Sequence, residues 1–302
     1  MSEKIGLRSK RYWLMRIKSF AKINLGLEVI GKRKDFYHEV RTLLQTINFF
    51  DVLEFRAARH DRILLKGDDK SISWGKNNLI FRAAFLLKEQ FHVSKGIEIH
   101  VNKNIPSGKG LGGGSSNAAM TLYVLNKSWG LRLGKKALKE LGRQLGADVP
   151  FFLEGGLCLG LGRGDDIVPL SDLATFPCLL VLPSFAIQTA YVYSHFPLSL
   201  TSQDKDSKII KFLDNREIGL LENRLEKTVF RLYPQLKAIK RLLRGQGSEL
   251  PLVSGSGSAV FGLFLEKEKA EKILIKLKKA YTSLLVETLP RERYWTSLKT
   301  GV

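Results

Sequence analysis

A glycine-rich loop between residues 106 and 116 has the clearest potential for chemistry in this sequence. Five of its residues are glycines, namely Gly108, Gly110, Gly112, Gly113 and Gly114. Glycine adopts positive φ without steric cost and leaves room for a ligand, so the N–H groups of such a loop can surround an anion. The apolar run 117–125 that follows predicts a helix, whose positive end would point at the same place. The loop therefore predicts a phosphate site.

The residue pattern weighs against two other nucleotide-binding loops. A Walker A loop needs Ser or Thr after its Gly-Lys pair, whereas Gly108-Lys109 is followed by Gly110. A dinucleotide fingerprint is formally present from Gly108 to Gly113, but it needs an acidic residue about 20 positions later to bind ribose, and that region is basic. A purely structural loop stays open, although so many glycines are entropically costly without a ligand.

The elements that must position this loop follow a mixed pattern. Apolar and alternating runs predict strands at 20–30, 40–50, 51–56, 96–101 and 178–182. Helical spacing predicts helices at 78–90, 117–125, 135–145, 209–213, 218–225 and 235–243. Ser115 and Ser116 are expected to cap the second helix, Gly146 to end the third, and Pro150 to prevent its immediate resumption. Strands and helices do not alternate strictly, which indicates an α+β fold in two domains.

A change of composition near residues 163–172, where charges and a proline interrupt the apolar pattern, marks the predicted domain boundary. We expect a basic N-terminal extension at 1–18, an N-terminal domain at 19–166 and a C-terminal domain at 167–302. The extension is expected to be mainly solvated, with contact to RNA or lipid as the alternative.

Composition limits the class of protein. The chain of 302 residues is 44% apolar and 26% charged, which is typical of a globular protein. No apolar run approaches the roughly 18 residues needed to span a bilayer, so a cytoplasmic protein without a membrane partner is expected. Cys158 and Cys178 lie in apolar stretches and are expected to be buried thiols. The net charge of +20 points to an anionic partner.

The loop and its flanking residues, P-S-G-K-G-L-G-G-G-S-S-N-A-A, resemble the ATP-binding loop of the GHMP kinase superfamily. The doubled glycine before the serines is typical of the branch whose substrate is 4-diphosphocytidyl-2-C-methyl-D-erythritol. Further segments resemble motifs of that branch in the same order: A-K-I-N-L at 21–25, Y-H at 37–38 with L-L-Q at 43–45, G-A-D-V-P at 146–150 and S-G-S-G-S at 254–258. The resemblance covers nearly the whole chain from Ser19 to about Leu265.

This resemblance implies a fold and a reaction. The fold would be that of the GHMP kinases, with an N-terminal ribosomal S5 domain 2-like ATP-binding domain and a C-terminal α/β sandwich domain. The enzyme would transfer phosphate from ATP, with Mg²⁺ bridging the phosphates, to the 2-hydroxyl of 4-diphosphocytidyl-2-C-methyl-D-erythritol in the non-mevalonate route to isoprenoid precursors. Asp148 would be the general base, and Lys22 would stabilise the charge of the transition state.

The resemblance also implies the binding residues. The ATP phosphates would lie against Pro106, Ser107, Gly108, Lys109, Gly110, Leu111, Gly112, Gly113, Gly114, Ser115 and Ser116. Asn78 and Leu79 would border the adenine, with Lys103 close to it. The substrate would be held by Asn24, Tyr37, His38, Thr189, Tyr193, Gly255, Ser256 and Gly257. An aromatic ring over the cytosine and a histidine at its edge are chemically sensible.

The sequence departs from the family pattern in a few places. Lys109 stands where a small residue is common, and it would either contact phosphate or lie exposed. Ser254 and Ser256 stand where threonine is common, so the hydroxyl is kept. None of these changes conflicts with the resemblance.

Two other functions stay open. Another GHMP kinase, such as a mevalonate-pathway or homoserine kinase, would share the loop but need not have Tyr37-His38. A basic nucleic-acid-binding protein would fit the net charge, but it would not need Asp148 beside Lys22. The expectation is a small-molecule kinase, monomeric or weakly dimeric, without a nucleic-acid partner.

Overall fold

The computed structural model describes residues 14–201 and 203–298, in which ten strands and ten α-helices are formed. The strands are β1 (Leu14–Lys32), β2 (His38–Ala58), β3 (Ile63–Gly67), β4 (Gly96–Asn102), β5 (Leu157–Leu161), β6 (Asp166–Pro169), β7 (Pro177–Leu182), β8 (Leu250–Val253), β9 (Val260–Leu263) and β10 (Thr282–Glu287). The helices are α1 (Leu79–Gln90), α2 (Gly113–Trp129), α3 (Lys135–Leu145), α4 (Val149–Phe152), α5 (Thr189–Ser194), α6 (Lys208–Asn215), α7 (Glu226–Leu232), α8 (Pro234–Gly245), α9 (Lys267–Leu277) and α10 (Arg291–Thr296).

The first sheet is built on the long strand β2. β1 pairs antiparallel with β2 along nearly its whole length, from Leu14 opposite Arg56 to Lys32 opposite His38. β2 also pairs with β4 through residues 52–58 and with β5 through residues 42–45. β3 and β6 extend the sheet beyond β4 and β5.

The second sheet contains β10, β7, β9 and β8, in that order, and all its pairs are antiparallel. One buried cluster joins the two sheets, because it contains Ile23 and Leu43 from the first and Leu180 and Phe261 from the second. Side chains alternate along a strand. Ile23 therefore points into this cluster, while its neighbours Lys22 and Asn24 point to the opposite face of β1.

Helices α1 to α4 cover the first sheet around a second buried cluster that includes Phe55, Leu122 and Phe151. The end of the described chain returns to this cluster, which also contains Tyr294 and Leu298. The division of the chain near residue 166 stays a prediction.

The first strand begins earlier than the sequence pattern indicates. β1 starts at Leu14 rather than at residue 20, and Ile17 within it is buried. The prediction of a solvated extension is therefore wrong for residues 14–18, which pair with 52–56 of β2. Residues 1–13 of that extension lie outside the described residues.

The helix predicted at 218–225 is also wrong. Residues 218–220 form a single 3₁₀ turn, and the next α-helix begins at Glu226. The buried Asn223 side chain donates to the carbonyls of Val253 and Gly255 at 2.9 and 2.7 Å, and Leu27 of β1 pairs with Asn223 in an isolated bridge. These long-range hydrogen bonds replace the local helical ones.

Two expectations from composition concern burial. Both cysteines are buried free thiols, as expected, and burial raises the pKa of Cys158 to about 11. Within the described ranges, no helix is both long enough and apolar enough to cross a membrane.

Candidate active site

A cavity of about 780 Å³ lies between the glycine-rich loop, β1, the start of β2 and α5. Both predicted catalytic residues, Lys22 and Asp148, line it. The predicted substrate residues that line it are Asn24, Tyr37, His38, Thr189, Tyr193, Gly255 and Ser256. From the glycine-rich loop, Gly110 and Ser115 reach the same space. The described lining residues do not include Gly257. Segments distant in the sequence thus converge on one cavity.

Lys22 and Asp148 form the charged centre of this cavity. The Lys22 ammonium lies 3.6 Å from Asp148 Oδ2 and donates to Asn24 Oδ1 at 2.6 Å. Asn24 Nδ2 in turn donates to Thr42 Oγ1 at 2.9 Å. Lys22 is only 4% exposed, whereas the Asp148 side chain is 36% exposed. The lysine is therefore fixed by neighbours, while the carboxylate stays accessible to a ligand.

The connection between α3 and α4 places Asp148. Gly146 N donates back to Gly142 O at 3.1 Å, which ends α3 at the predicted position. Asp148 then precedes α4 directly, with Pro150 in the first turn of that helix. The expectation that Pro150 delays the next helix is wrong, because proline lacks only an N–H that the first turn leaves unused.

The backbone of the glycine-rich loop turns its carbonyl groups toward the protein. The carbonyls of Gly108 and Lys109 accept from the N–H groups of Ile187 and Ala259 at 3.0 and 3.1 Å. Those of Gly110 and Leu111 accept from Ser254 Oγ at 2.9 Å and Lys22 N at 3.0 Å.

The N–H groups of the same loop are free for an anion. Among the hydrogen bonds of the described residues, none is donated by the backbone N–H groups of residues 110–115. Helix α2 starts at Gly113, so its positive end adds to this site. Gly112, which precedes the helix, has φ of 71°, a conformation that favours glycine. Backbone donors and the helix dipole together suit a polyanion.

The predicted caps of this helix are wrong. Ser115 and Ser116 lie inside the first turn, and the capping position is Gly112, which has no side chain. Ser116 is buried and accepts from Ser19 Oγ at 2.7 Å. Ser115 instead lines the cavity, so its hydroxyl is available to a ligand.

Two of the three residues predicted near the adenine, Leu79 and Lys103, lie close to the start of α2. A Cβ built on Gly113 would be 3.0 Å from Lys103 Nζ, and one built on Gly114 would be 3.8 Å from Leu79 Cδ1. Lys103 Nζ is also paired with the buried Asp51 at 2.7 Å. Asn78 caps α1 by accepting from Ile80 N at 3.0 Å, so part of its side chain is already used.

The far end of the cavity is aromatic. The His38 ring lies 5.0 Å from that of Tyr193 and 6.3 Å from that of Phe196, measured between centroids. Burial, and to a smaller extent Lys32, lowers the pKa of His38 below its ordinary 6.5. Burial also raises the pKa of Tyr193, with a further contribution from Asp148. His38 is therefore neutral at pH 7 and able to donate and accept at once.

Several lining residues at this end were not predicted from the sequence, among them Phe36, Arg163 and Phe196. Phe36, 87% exposed with φ of 66°, and Arg163 both line the cavity. The Arg163 guanidinium lies 5.1 Å from the centre of the Tyr37 ring, and Asp165 holds it at 2.6 Å. The run Phe36-Tyr37-His38 was a local signal for the first. Nothing local marked Arg163, which a separate turn brings into place.

A second glycine-serine loop, 254–258, closes the cavity beside Lys22. A Cβ on Gly255 would be 3.1 Å from Asn24 Oδ1 and 3.7 Å from Lys22 Nζ, which explains glycine at this position. Ser256 Oγ lies 2.9 Å from Thr189 Oγ1 at the start of α5. Gly257 has φ of 91°, and a Cβ there would contact Val253 and Ile187 rather than the cavity.

Lys109 is neither exposed nor directed at a ligand. It is 7% exposed, and its ammonium donates to the carbonyls of Pro183 and Phe185. The expectation of an exposed side chain is wrong. The N–H groups of the Lys109 ammonium are hydrogen-bonded to the protein itself and are not directed at a ligand. Its backbone remains part of the loop.

Comparison with known proteins gives consistent matches over this architecture. The sequence matches the family model of the GHMP kinases N terminal domain over residues 78–156 and that of the GHMP kinases C terminal region over residues 209–283. It is 36% identical over 288 residues to a 4-diphosphocytidyl-2-C-methyl-D-erythritol kinase of Caldicellulosiruptor saccharolyticus, covering 94% of this chain and 99% of that protein.

Solved structures show the same similarity. A crystal structure of 4-(cytidine 5'-diphospho)-2C-methyl-D-erythritol kinase matches with a TM-score of 0.78 at 32% identity, covering 95% of this chain and 100% of that chain. A homoserine kinase from Cytophaga hutchinsonii matches with a TM-score of 0.75 at 19% identity, covering 96% and 99%. At that identity, the second match shows a shared fold alone.

Proposed function

This chain belongs to the GHMP kinases and, among them, to the 4-diphosphocytidyl-2-C-methyl-D-erythritol kinases, and from this we propose how its cavity works. It has the two-domain α+β fold of that family, and it is an ATP-dependent kinase. The substrate, we infer, is 4-diphosphocytidyl-2-C-methyl-D-erythritol, and the accepting group is its 2-hydroxyl.

One observation carries the proposal: the Lys22–Asp148 pair lines the same cavity as the glycine-rich loop and the aromatic pocket around His38. The free N–H groups of residues 110–115 lie at one end and His38 with Tyr193 at the other. A nucleoside triphosphate at the loop and a pyrimidine nucleotide at the aromatic end would meet at the charged pair. The hydroxyl that receives phosphate would then lie beside Asp148.

In the mechanism, positioning and charge stabilisation do most of the work, as is usual for phosphoryl transfer. Asp148 accepts the proton of the substrate hydroxyl as general base. Lys22, held by Asn24 at 2.6 Å, stabilises the negative charge on the transferred phosphoryl group. The loop N–H groups and the start of α2 hold the remaining phosphates of ATP.

Magnesium fits this site as an ion that arrives with the nucleotide. The described residues contain no group of three or more His, Cys, Asp or Glu side chains that could hold a metal by themselves. Mg²⁺ is commonly held by few protein groups together with substrate phosphates and waters. The Ser115 hydroxyl, which lines the cavity, is the group that would hold it. When bound, the ion supplies neutralisation of phosphate charge.

Gly114→Val should block the nucleotide without disturbing the free protein. A Cβ on Gly114 meets only Leu79 Cδ1 at 3.8 Å, whereas one on Gly113 would lie 2.9 Å from Ile105 Cγ2. Valine at 114 therefore fits the protein but occupies space beside the free N–H groups. The dissociation constant of the ATP analogue AMP-PNP, measured by calorimetry, is expected to rise about tenfold or more, or about 1.4 kcal/mol.

Gly134→Val is the matched control for this test. Gly134 lies directly before α3, has φ of −72°, and has nothing within 4 Å of an added Cβ. It should leave AMP-PNP affinity unchanged. If the folded Gly114→Val variant binds AMP-PNP with unchanged affinity, the glycine-rich loop does not bind the phosphates.

His38 should distinguish cytidine from uridine substrates. Cytosine offers an amino donor beside two acceptors, whereas uracil offers a carbonyl and a protonated ring nitrogen. A site that pairs with the cytosine edge would leave polar groups unpaired when uracil binds, at a cost of about 1–3 kcal/mol for each unpaired group. The uridine analogue is expected to lose roughly 10-fold to 100-fold in kcat/KM. His38→Ala should lower the ratio of kcat/KM for the cytidine substrate to kcat/KM for the uridine analogue. Tyr37→Ala should lower kcat/KM for both, because stacking is tolerant of base identity.

The pH dependence of the same ratio supplies a second readout. Because the pKa of His38 is lowered from 6.5, the neutral form persists at pH 7 and protonation occurs at more acidic pH. The cytidine-over-uridine ratio of kcat/KM should be constant above pH 7 and fall below 6.5, with no such change in His38→Ala. His100→Ala, on β4, is the control and should behave as wild type. Equal ratios in wild type and His38→Ala would show that His38 does not recognise the base.

A further inference from the structure

Lys109 connects the glycine-rich loop to the segment that precedes α5. Its ammonium donates to the carbonyls of Pro183 and Phe185, and burial lowers its pKa. A buried ammonium is costly unless acceptors compensate for lost water. These two hydrogen bonds therefore fix the residues 183–185 against the glycine-rich loop.

Other hydrogen bonds fix the same segment. Ile187 N donates to Gly108 O at 3.0 Å, and Ser258 Oγ donates to Phe185 O at 2.6 Å. A Cβ on Gly108 would be 2.7 Å from the Ala186 Cβ, so the two backbones lie in direct contact. Lys109 and Ser258 therefore share one acceptor, although they come from different loops.

The segment 183–188 leads directly into α5, which faces the other end of the cavity. Thr189 and Tyr193 of α5 line the cavity, and Thr189 Oγ1 lies 2.9 Å from Ser256 Oγ. A movement of the glycine-rich loop cannot occur without either moving this segment or breaking its hydrogen bonds. If a ligand restricts the motion of the loop, the same hydrogen bonds would also restrict the motion of α5.

We propose that Lys109 is a positioning residue that couples the two sites, so that binding of nucleotide to the glycine-rich loop orders α5 and tightens binding of the second substrate. This rests on the proposed function for the identity of that substrate, but not for the coupling itself. A small side chain at position 109 would leave both carbonyls without this donor. Coupling of this kind is reciprocal, so the second substrate must tighten nucleotide binding by the same factor.

Hydrogen exchange measured by mass spectrometry tests the coupling without the second substrate. In wild type, saturating AMP-PNP should slow amide exchange both in residues 110–120 and in residues 183–196. In Lys109→Met, which keeps the apolar stem and removes the donors, AMP-PNP should still protect 110–120 and no longer protect 183–196. Lys136→Met, a change at an exposed lysine of α3, should match wild type.

Ser258→Ala separates positioning from a simple charge effect. It removes a second donor to Phe185 O without changing any charge. If Lys109 acts by position, Ser258→Ala also weakens the protection of 183–196; if Lys109 acted only by its charge, this variant would behave as wild type. Ser258→Ala also keeps the test decisive if Lys109→Met fails to fold.

The binding arm measures the dissociation constant of 4-diphosphocytidyl-2-C-methyl-D-erythritol with and without AMP-PNP. Wild type should bind about fivefold tighter or more with AMP-PNP, which is the lower end of common coupling factors, and Lys109→Met should show less than about a twofold difference. Undiminished protection of 183–196 in Lys109→Met, or no such protection in wild type, would overturn the coupling. A wild-type protein that does not phosphorylate this substrate would instead overturn the proposed function, and the exchange arm would still decide on Lys109.

Discussion

Asp148→Asn is expected to lower kcat by about 10²-fold to 10⁴-fold, the usual contribution of a general base. The amide has nearly the same shape as the carboxylate, but it cannot accept the proton of the substrate hydroxyl. Asp148 is 36% exposed, and its ion pair with Lys22 spans 3.6 Å. The Lys22 ammonium keeps its hydrogen bond to Asn24 Oδ1 at 2.6 Å when the carboxylate is replaced, so the variant is expected to fold. Turnover is measured by ADP release and folding by thermal unfolding.

The affinity for AMP-PNP gives the internal control, because Asp148 is assigned to the substrate hydroxyl and not to the nucleotide. It should change by no more than about twofold, since only transition-state stabilisation is removed. Asp166→Asn, which alters an exposed carboxylate paired with Arg143 at 3.0 Å, should leave kcat at the wild-type value. A folded Asp148→Asn enzyme with nearly normal kcat would assign the base to another group.

Lys22→Met should have the second largest effect, about 10²-fold to 10³-fold in kcat, as for removal of one strong donor to a developing negative charge. Methionine fills a similar volume, so the packing of β1 is kept while the ammonium is lost. Single-turnover measurements should place the loss in the chemical step.

A lysine on the same strand provides the matched variant. Lys18→Met makes the same change four residues earlier, where the ammonium lies over the Phe50 ring at 4.9 Å and not in the cavity. Wild-type kcat is expected for it. A Lys22→Met enzyme that lost only substrate affinity, with kcat intact, would make Lys22 a binding residue.

Long elements with a regular pattern were predictable from the sequence. The helix at 135–145 has the predicted bounds, and the helix predicted at 78–90 is observed as α1, with Asn78 as its cap. The hydrophobic period determines both helices locally, and Gly146 ends the second of them. The cavity residues were found through a resemblance of motifs, since spacing alone cannot show that residues 22 and 148 lie 3.6 Å apart.

The features that were missed depend on distant parts of the chain. Residues 221–225 do not form the predicted helix, because the Asn223 side chain donates to the carbonyls of Val253 and Gly255. Lys109 is buried because two carbonyls from residues 183–185 accept its protons. Arg163 reaches Tyr37 because Asp165 holds it in a turn between β5 and β6. For Asn223 and Lys109 the partners are backbone carbonyls distant in the sequence. For Arg163 the fold places a local turn beside Tyr37.

The acceptor substrate tests the central claim most directly. ADP release by the wild-type enzyme should be compared for 4-diphosphocytidyl-2-C-methyl-D-erythritol, mevalonate and homoserine under identical ATP and Mg²⁺ concentrations. The account predicts that the cytidine substrate has the highest kcat/KM, with the other two lower by about 10⁴-fold, because they leave the polar groups of the aromatic pocket unpaired. A higher kcat/KM for mevalonate or homoserine would contradict the assignment of substrate. The assignment of the chain to the GHMP kinases would still hold.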